Sequence, residues 1–283
     1  MPTAHVIGVD LGGTAIKLAR IRADGTVLAE AQWPTPQPAV PGAVTMALCE
    51  AIEQIDPEHA AEAVGIGLPG PMDAAARVAR VCINLPGWED VPLADWLESK
   101  LNRRVTLAND GNCAVVGEAW LGAAQGVEDV VLLTLGTGVG GGVLLQGELF
   151  TGHIGAAAEP GLIGLQPDGP ACNSGNRGSL EQFASITGLR RLCDRDPRQL
   201  SAEADGGDPE ALEVWSRYGE HLGCGIASLV YVFTPQLVLL GGGLGAVVAF
   251  DDVELVMSVL VLVLLGRLLL MSPLAFQGFP VMP

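Results

Sequence analysis

Short apolar runs cut by glycine dominate the first third of the chain. Residues 5–10, 15–22 and 26–32 have strand character, joined by the tight turn Leu11-Gly12-Gly13-Thr14 and the hairpin signal Asp24-Gly25. A proline-rich connector over 34–41 leads into 42–55, where apolar residues recur at helical spacing. Residues 63–68 read as a buried strand stopped by Pro69-Gly70-Pro71. Residues 88–101 read as a helix and 105–108 as a further strand.

The second half follows the same plan. A helix is expected over 111–122, then strands over 130–135 and 141–146 around the glycine turn 136–140. Residues 152–178 are loop-like, and 180–193 and 210–232 are helical. The longer helix carries a stripe through or near Leu212, Trp215, Gly219, Leu222, Cys224–Ile226 and Leu229. A strand over 237–240 closes on Gly241-Gly242-Gly243. Val9-Asp10-Leu11-Gly12-Gly13-Thr14 is echoed by Leu133-Thr134-Leu135-Gly136-Thr137-Gly138, as in a chain built of two similar halves with a ligand cleft between them. The expected class is α/β, with one lobe over 1–108 and a second over 109–283.

Composition and charge narrow the chemistry. The chain has 283 residues, 49% of them hydrophobic and 5% aromatic, which suits a globular α/β protein with a sizeable core. Its 15 basic residues face 32 acidic ones, a net charge of −17 with no basic cluster. A nucleic-acid groove or anionic membrane surface is therefore a poor fit, as is a long polyphosphate chain. A small polyanion such as ATP can still bind through backbone amides and one or two cations. Six scattered cysteines without a Cys-x-x-Cys pair predict reduced thiols in a cytoplasmic protein, and the N-terminus lacks the features of a signal peptide. The apolar run 255–265 lies between Glu254 and Arg267, too short a span for a membrane helix of roughly 20 residues.

Three glycine clusters each follow a short apolar strand: Gly12-Gly13, 136–142 and 241–243. Exposed N–H groups in such bends form nests for phosphate oxygens. Residues 136–141 match GxGxxG, but a strand and not a helix is expected next, which argues against a dinucleotide fold. No GxxxxGK[ST] is present. Lys17 either reaches a γ-phosphate beside Thr14 or is a solvated strand lysine. Asp10 either holds Mg²⁺ through water or caps the turn. Asp110 either caps the following helix or accepts the proton of an acceptor hydroxyl during phosphoryl transfer.

The ordered set of motifs resembles the ROK family of repressors and sugar kinases. It comprises 9–14 with Lys17, then Gly65-Ile66-Gly67-Leu68-Pro69-Gly70-Pro71 and Asn84-Leu85-Pro86-Gly87-Trp88. Asn109-Asp110-Gly111-Asn112, 135–142, 172–181 and the glycines at 241–243 complete it. The resemblance implies a two-lobed actin-like ATPase fold and ATP- and Mg²⁺-dependent phosphorylation of a hexose at its 6-hydroxyl, glucose first. It places Gly12, Gly13, Thr14, Lys17, Thr137 and Gly138 near the phosphates, Asp10 near Mg²⁺, and Gly242 and Gly243 beside the adenosine. Asp110 would be the general base. Asn84, Asn109, Glu159 and Glu181 would hydrogen-bond the sugar. Family members are often dimers, which leaves a homodimer as one expected assembly. Family repressors carry a DNA-binding domain ahead of the kinase-like body, and here the first phosphate strand begins by residue 6.

Two departures stand out. The family commonly binds a structural zinc through one histidine and three cysteines. Here Cys172 remains, Ser174 and Ser179 take two cysteine places and Leu162 the histidine place, so no zinc is expected. His153 is nearby but out of register. Beyond about residue 245 the chain departs from the family pattern. The segment 246–283 reads as a truncated or frame-shifted end or, alternatively, as a divergent buried helix, and this altered end makes a weakly active or non-catalytic sugar-binding relative the second reading.

Overall fold

The computed structural model describes residues 4–82 and 85–245, together with the backbone of Leu268–Leu270. They form two compact units. One comprises the chain up to Cys113 together with Thr151–Ala157; the other comprises Ala114–Phe150 and the chain from Ala158 onward.

The first unit is built on a five-stranded sheet. Its strands are β1 (His5–Leu11), β2 (Ala15–Arg22), β3 (Val27–Pro34), β4 (Ala61–Leu68) and β7 (Arg104–Asn109), in the order β3-β2-β1-β4-β7. The first three form an antiparallel meander, and β4 and β7 add parallel strands beyond β1. Alternation explains the meander: Ile7, Val9, Leu11, Ile16 and Leu18 are buried while Asp10 and Lys17 face outward. Helix α1 (Pro41–Ile55) begins on proline and buries Val44, Leu48, Ala51, Ile52 and Ile55 at steps of three and four. A small hairpin joins β5 (Ala79–Val81) to β6 (Glu89–Val91), and α2 (Leu93–Leu101) completes the unit.

The expected helix over 88–101 is therefore shorter. Trp88 is buried and its indole N–H donates to the Ala39 carbonyl at 2.8 Å, so tertiary packing draws the segment before Leu93 into the hairpin.

The second unit repeats the scheme. Helix α3 (Asp110–Leu121) leads into it. The strands β8 (Val130–Leu135), β9 (Val139–Leu145), β10 (Glu148–Leu149), β11 (Leu237–Gly241) and β12 (Leu268–Leu270) lie in the order β10-β9-β8-β11-β12. Again three antiparallel strands are followed by two parallel ones. The fifth strand comes from the atypical segment 246–283; the apolar run 255–265 lies outside the described residues.

β8 and β11 are buried on both faces. Val131, Leu133, Val238 and Leu240 share one core with the long helix, while Val130, Leu132, Leu237 and Leu239 share another with Val115 of α3. That explains their unbroken apolar runs.

The remaining helices are α4 (Glu181–Ala184), α5 (Ile186–Leu192), α6 (Pro197–Asp205), α7 (Pro209–Phe233) and the single turn α8 (Gly242–Gly245). The expected helix over 180–193 is split at Ser185, whose side chain caps α5 by accepting from the Gly188 N–H at 3.0 Å. Helix α6 was not expected. The buried face of α7 runs through Ala211, Val214, Tyr218, Leu222, Ile226 and Leu229, one position off the expected stripe at its start; Leu212 is exposed. Among the described residues no helix is long and apolar enough to cross a membrane, and the cysteines are free thiols.

Candidate functional site

In the first unit the strand ends align. Asp10 pairs in register with Gly67, and Gly67 with Ala108, so the carboxyl-terminal ends of β1, β4 and β7 form one edge. At a strand spacing of about 4.8 Å, the outer two backbones lie roughly 10 Å apart. Open α/β sheets bind ligands at this edge. Gly67 keeps the middle low: a Cβ there would come within 3.1 Å of the Cys113 sulfur.

Asn109 and Asp110 follow directly on β7, and the structure separates their roles. Asn109 caps α3: its Oδ1 accepts from the Asn112 N–H at 3.2 Å while its Nδ2 donates to the Gly70 carbonyl at 3.2 Å. The cap leaves the Asp110 side chain out of that job. Its Oδ1 accepts only the neighbouring Gly111 N–H, at 2.8 Å, among the bonds seen here. Asp110 keeps one face open to solvent, but protein packed around its other sides pushes its carboxyl above the usual carboxylate range. The Gly111 amide pulls the other way, and the Asp10 charge adds to the rise. Burial and the same two carboxylates push the Cys113 thiol up to about 11; burial and Asp110 push the Cys82 thiol up to about 12.

The β1–β2 bend holds the first glycine pair. The Gly12 N–H donates to the Ala15 carbonyl at 2.9 Å and closes the turn. From the segment after β3, the Thr35 hydroxyl donates to the Gly12 carbonyl at 2.7 Å, the Gln37 amide to the Gly13 carbonyl at 3.0 Å, and the Thr35 N–H to the Thr14 carbonyl at 3.0 Å. Lys17 pairs with Asp10 across the hairpin at 3.5 Å. Both side chains are more than half exposed, so the pair adds little stability and leaves the ammonium available.

The β8–β9 bend in the second unit is made similarly. The Ile186 N–H donates to the Gly136 carbonyl at 2.8 Å and the Thr187 hydroxyl to the Thr137 carbonyl at 3.0 Å. Glu181 lies against this bend, accepting from the Val139 N–H at 3.1 Å. A Cβ at Gly138 would displace the Glu181 carboxylate from this position. Gly242, at φ +87°, abuts the backbone of Leu135, so the second and third glycine bends are neighbours in one unit. Gly243 follows it with open space where a side chain would stand. The first bend belongs to the other unit.

Of the remaining expected sugar ligands, Glu159 precedes the 3-10 turn Pro160–Leu162, which packs on β9 with Gly161 against the Val139 carbonyl. Asn84 lies outside the described residues. His153 is exposed in Thr151–Ala157, the segment that packs with the first unit, whereas Leu162 lies in the second.

The donor set for a structural zinc does not fit one. Leu162 offers no ligand, and hydroxyls replace two thiols. Burial pushes the Cys172 thiol up, but the Ser174 and Ser179 hydroxyls beside it outweigh that and leave it below its ordinary value. Ser179 is wholly buried, and its oxygen stops short of a well-formed hydrogen bond. Among the described residues no three His, Cys, Asp or Glu side chains converge as a metal site.

Sequence reasoning passed over Thr35, Gln37 and Thr187. Thr35-Pro36-Gln37 reads as part of a proline-rich connector, and nothing in its composition shows that it backs the first bend.

Comparison with known proteins places the chain in a family. The profile of the ROK family matches residues 6–261. A glucokinase of Thermotoga maritima is 36% identical over 264 residues, covering 86% of this chain and 83% of the relative. An N-acetylgalactosamine kinase of Shewanella is 34% identical over 257 residues, 85% of this chain and 82% of the relative. A crystal structure of a Streptomyces griseus ROK glucokinase, in complex with glucose and AMPPNP, superposes with a TM-score of 0.73 at 32% identity, covering 86% of this chain and 84% of that one. Doubled sheet topology, glycine bends at the strand ends and these similarities agree: the chain has the two-lobed actin-like ATPase fold and belongs to the ROK family.

Proposed function

We propose that this ROK-family sugar kinase transfers the γ-phosphoryl group of ATP to the 6-hydroxyl of glucose. The observation that carries the reading is the division of labour at residues 109 and 110. Asn109 caps the helix, and Asp110 stands beside it with one oxygen accepting the Gly111 N–H and a raised pKa. In phosphoryl transfer the protein's work is positioning and charge stabilisation, plus acceptance of one proton. A carboxylate held above its ordinary pKa is a stronger base than a free one.

In this reading the amides of Gly12, Gly13, Thr14, Thr137 and Gly138 hold the phosphates, and Gly242 and Gly243 flank the adenosine. Lys17 offsets the γ-phosphate charge. Asp10 would hold Mg²⁺ through water, and that ion would supply further charge neutralisation. Asn84, Asn109, Glu159 and Glu181 bind the sugar hydroxyls. An ATP-consuming enzyme with unpaired cysteines suits the cytoplasm, with a small sugar and no nucleic acid as its partner. A homodimer remains the family's expectation.

A second reading, an N-acetylhexosamine as acceptor, draws on the similarity to the Shewanella enzyme and on Leu162, an apolar residue where the family pattern carries a histidine. Sugar-dependent ADP release with about ten hexoses and N-acetylhexosamines decides between them. Glucose should give the highest kcat/KM. Preference for an N-acetylated sugar would replace glucose, and no release with any sugar would leave a binding protein.

A further inference from the structure

Both phosphate bends are backed by donors that hold their carbonyls, and the consequence concerns the amides on the other side. A trans peptide is planar, with C=O and the next N–H pointing in opposite directions. Whatever holds a carbonyl therefore aims the following amide. The Gly12 carbonyl is held by the Thr35 hydroxyl, which turns the Gly13 N–H the opposite way. The Gly13 carbonyl is held by the Gln37 side chain, which does the same for the Thr14 N–H.

In the second unit the Ile186 N–H holds the Gly136 carbonyl and aims the Thr137 N–H. The Thr187 hydroxyl holds the Thr137 carbonyl and aims the Gly138 N–H. Two unrelated stretches of chain, one after β3 and one at the start of α5, perform the same task on topologically equivalent hairpins.

Glycine-rich bends need this support. Glycine leaves the peptide plane free to rotate, and a nest works only when successive N–H groups face one way. The donors convert a pliable bend into a fixed one before the anion arrives, lowering the ordering cost of binding.

We propose that Thr35, Gln37 and Thr187 are positioning residues that aim the amides of Gly13, Thr14 and Gly138 at the phosphates of ATP without touching the nucleotide. The inference rests on the kinase reading above, because it takes these bends to be the phosphate sites.

The test compares the binding of AMPPNP with Mg²⁺ and of adenosine, by calorimetry without sugar, in the wild type and in Thr35→Val, Gln37→Met and Thr187→Val. Each variant removes one donor and should weaken AMPPNP about tenfold while shifting adenosine by less than about twofold. Thr35→Ser should restore AMPPNP affinity. Gln37 and Thr187 are exposed, so their variants carry the test even if the buried Thr35→Val fails to fold. Folded variants that keep the wild-type AMPPNP-to-adenosine ratio, or lose both ligands equally, would overturn the positioning role alone. A wild type that binds AMPPNP no more tightly than adenosine would overturn the phosphate sites as well.

Discussion

Replacing Asp110 by asparagine separates catalysis from folding. The side chains are nearly isosteric, and the asparagine oxygen can still accept the Gly111 N–H that Asp110 Oδ1 accepts at 2.8 Å. What disappears is the ability to take a proton. A positioned general base contributes about 10²–10⁴ in rate, so kcat should fall by that factor, about 3–5 kcal/mol of barrier. The KM for ATP should hardly move, since the residue lies outside both phosphate bends.

Stability should move the opposite way. The folded-state pKa of Asp110 is raised, by burial first and by Asp10 besides, so the folded protein binds this proton more tightly than the unfolded chain. Stability then falls as pH rises from the unfolded pKa through the folded one, and the ionised form is a liability at neutral pH. An asparagine in its place cannot ionise, so Asp110→Asn should melt at least as high as wild type at pH 7, with the gain vanishing in acid. Coupled ADP release and thermal unfolding at pH 4 and 7 measure both effects. A variant that keeps more than about a tenth of wild-type kcat would remove Asp110 from the chemistry. One that melts well below wild type at pH 7 would contradict the electrostatic account.

Four further outcomes are expected. The Cys113 thiol, pushed up to about 11, should alkylate slowly at pH 8 despite its exposure, and Asp110→Asn should shift the midpoint of its pH–rate curve downward; peptide mass spectrometry follows it. Gly242→Ala forces a side chain into φ +87° against the Leu135 backbone and should cost about 1–3 kcal/mol in denaturant unfolding, whereas an unchanged midpoint would show that the bend can open. Asp56 is fully buried, caps the end of α1 and receives Arg20, Arg103 and the Ala60 and Ala61 amides, so Asp56→Ala should cost about 3–5 kcal/mol at pH 7. Its burial raises the pKa but these bonds lower it further, so the wild-type advantage should persist at neutral pH and fade in acid as pH falls through the lowered value. Purified protein should carry far less than one zinc per chain by elemental analysis, and stoichiometric zinc would show that Cys172 recruits ligands beyond Ser174 and Ser179.

Local pattern carried much of this fold. The strand over Ala15–Arg22 and the strand over Val130–Leu135 lie where alternation and apolar runs put them, because a two-residue period with a glycine stop is a short-range signal. The doubling of the chain was visible as an echo of six residues, and the sheets carry it through to five strands each in the same order. The glycine bends and the Asn-Asp pair were legible for the same reason: each is a contiguous string after a strand.

Choices that depend on distant partners were not legible. Whether residue 109 or 110 caps α3 turns on the Gly70 carbonyl, which orients the Asn109 amide across 39 positions of chain. Trp88 leaves the helical pattern because Ala39 offers its indole a buried acceptor. The face that α7 buries is set by the sheet beneath it, and Gly225 admits the Leu180 side chain there. The aim of the bend amides comes from hydroxyl and amide donors far away in sequence, such as Thr187, 50 positions beyond Thr137. Periodicity says which residues tend to be inside; hydrogen bonds and close packing are satisfied only when strands and helices from separate parts of the chain meet, and there the fold assigned its polar groups their roles.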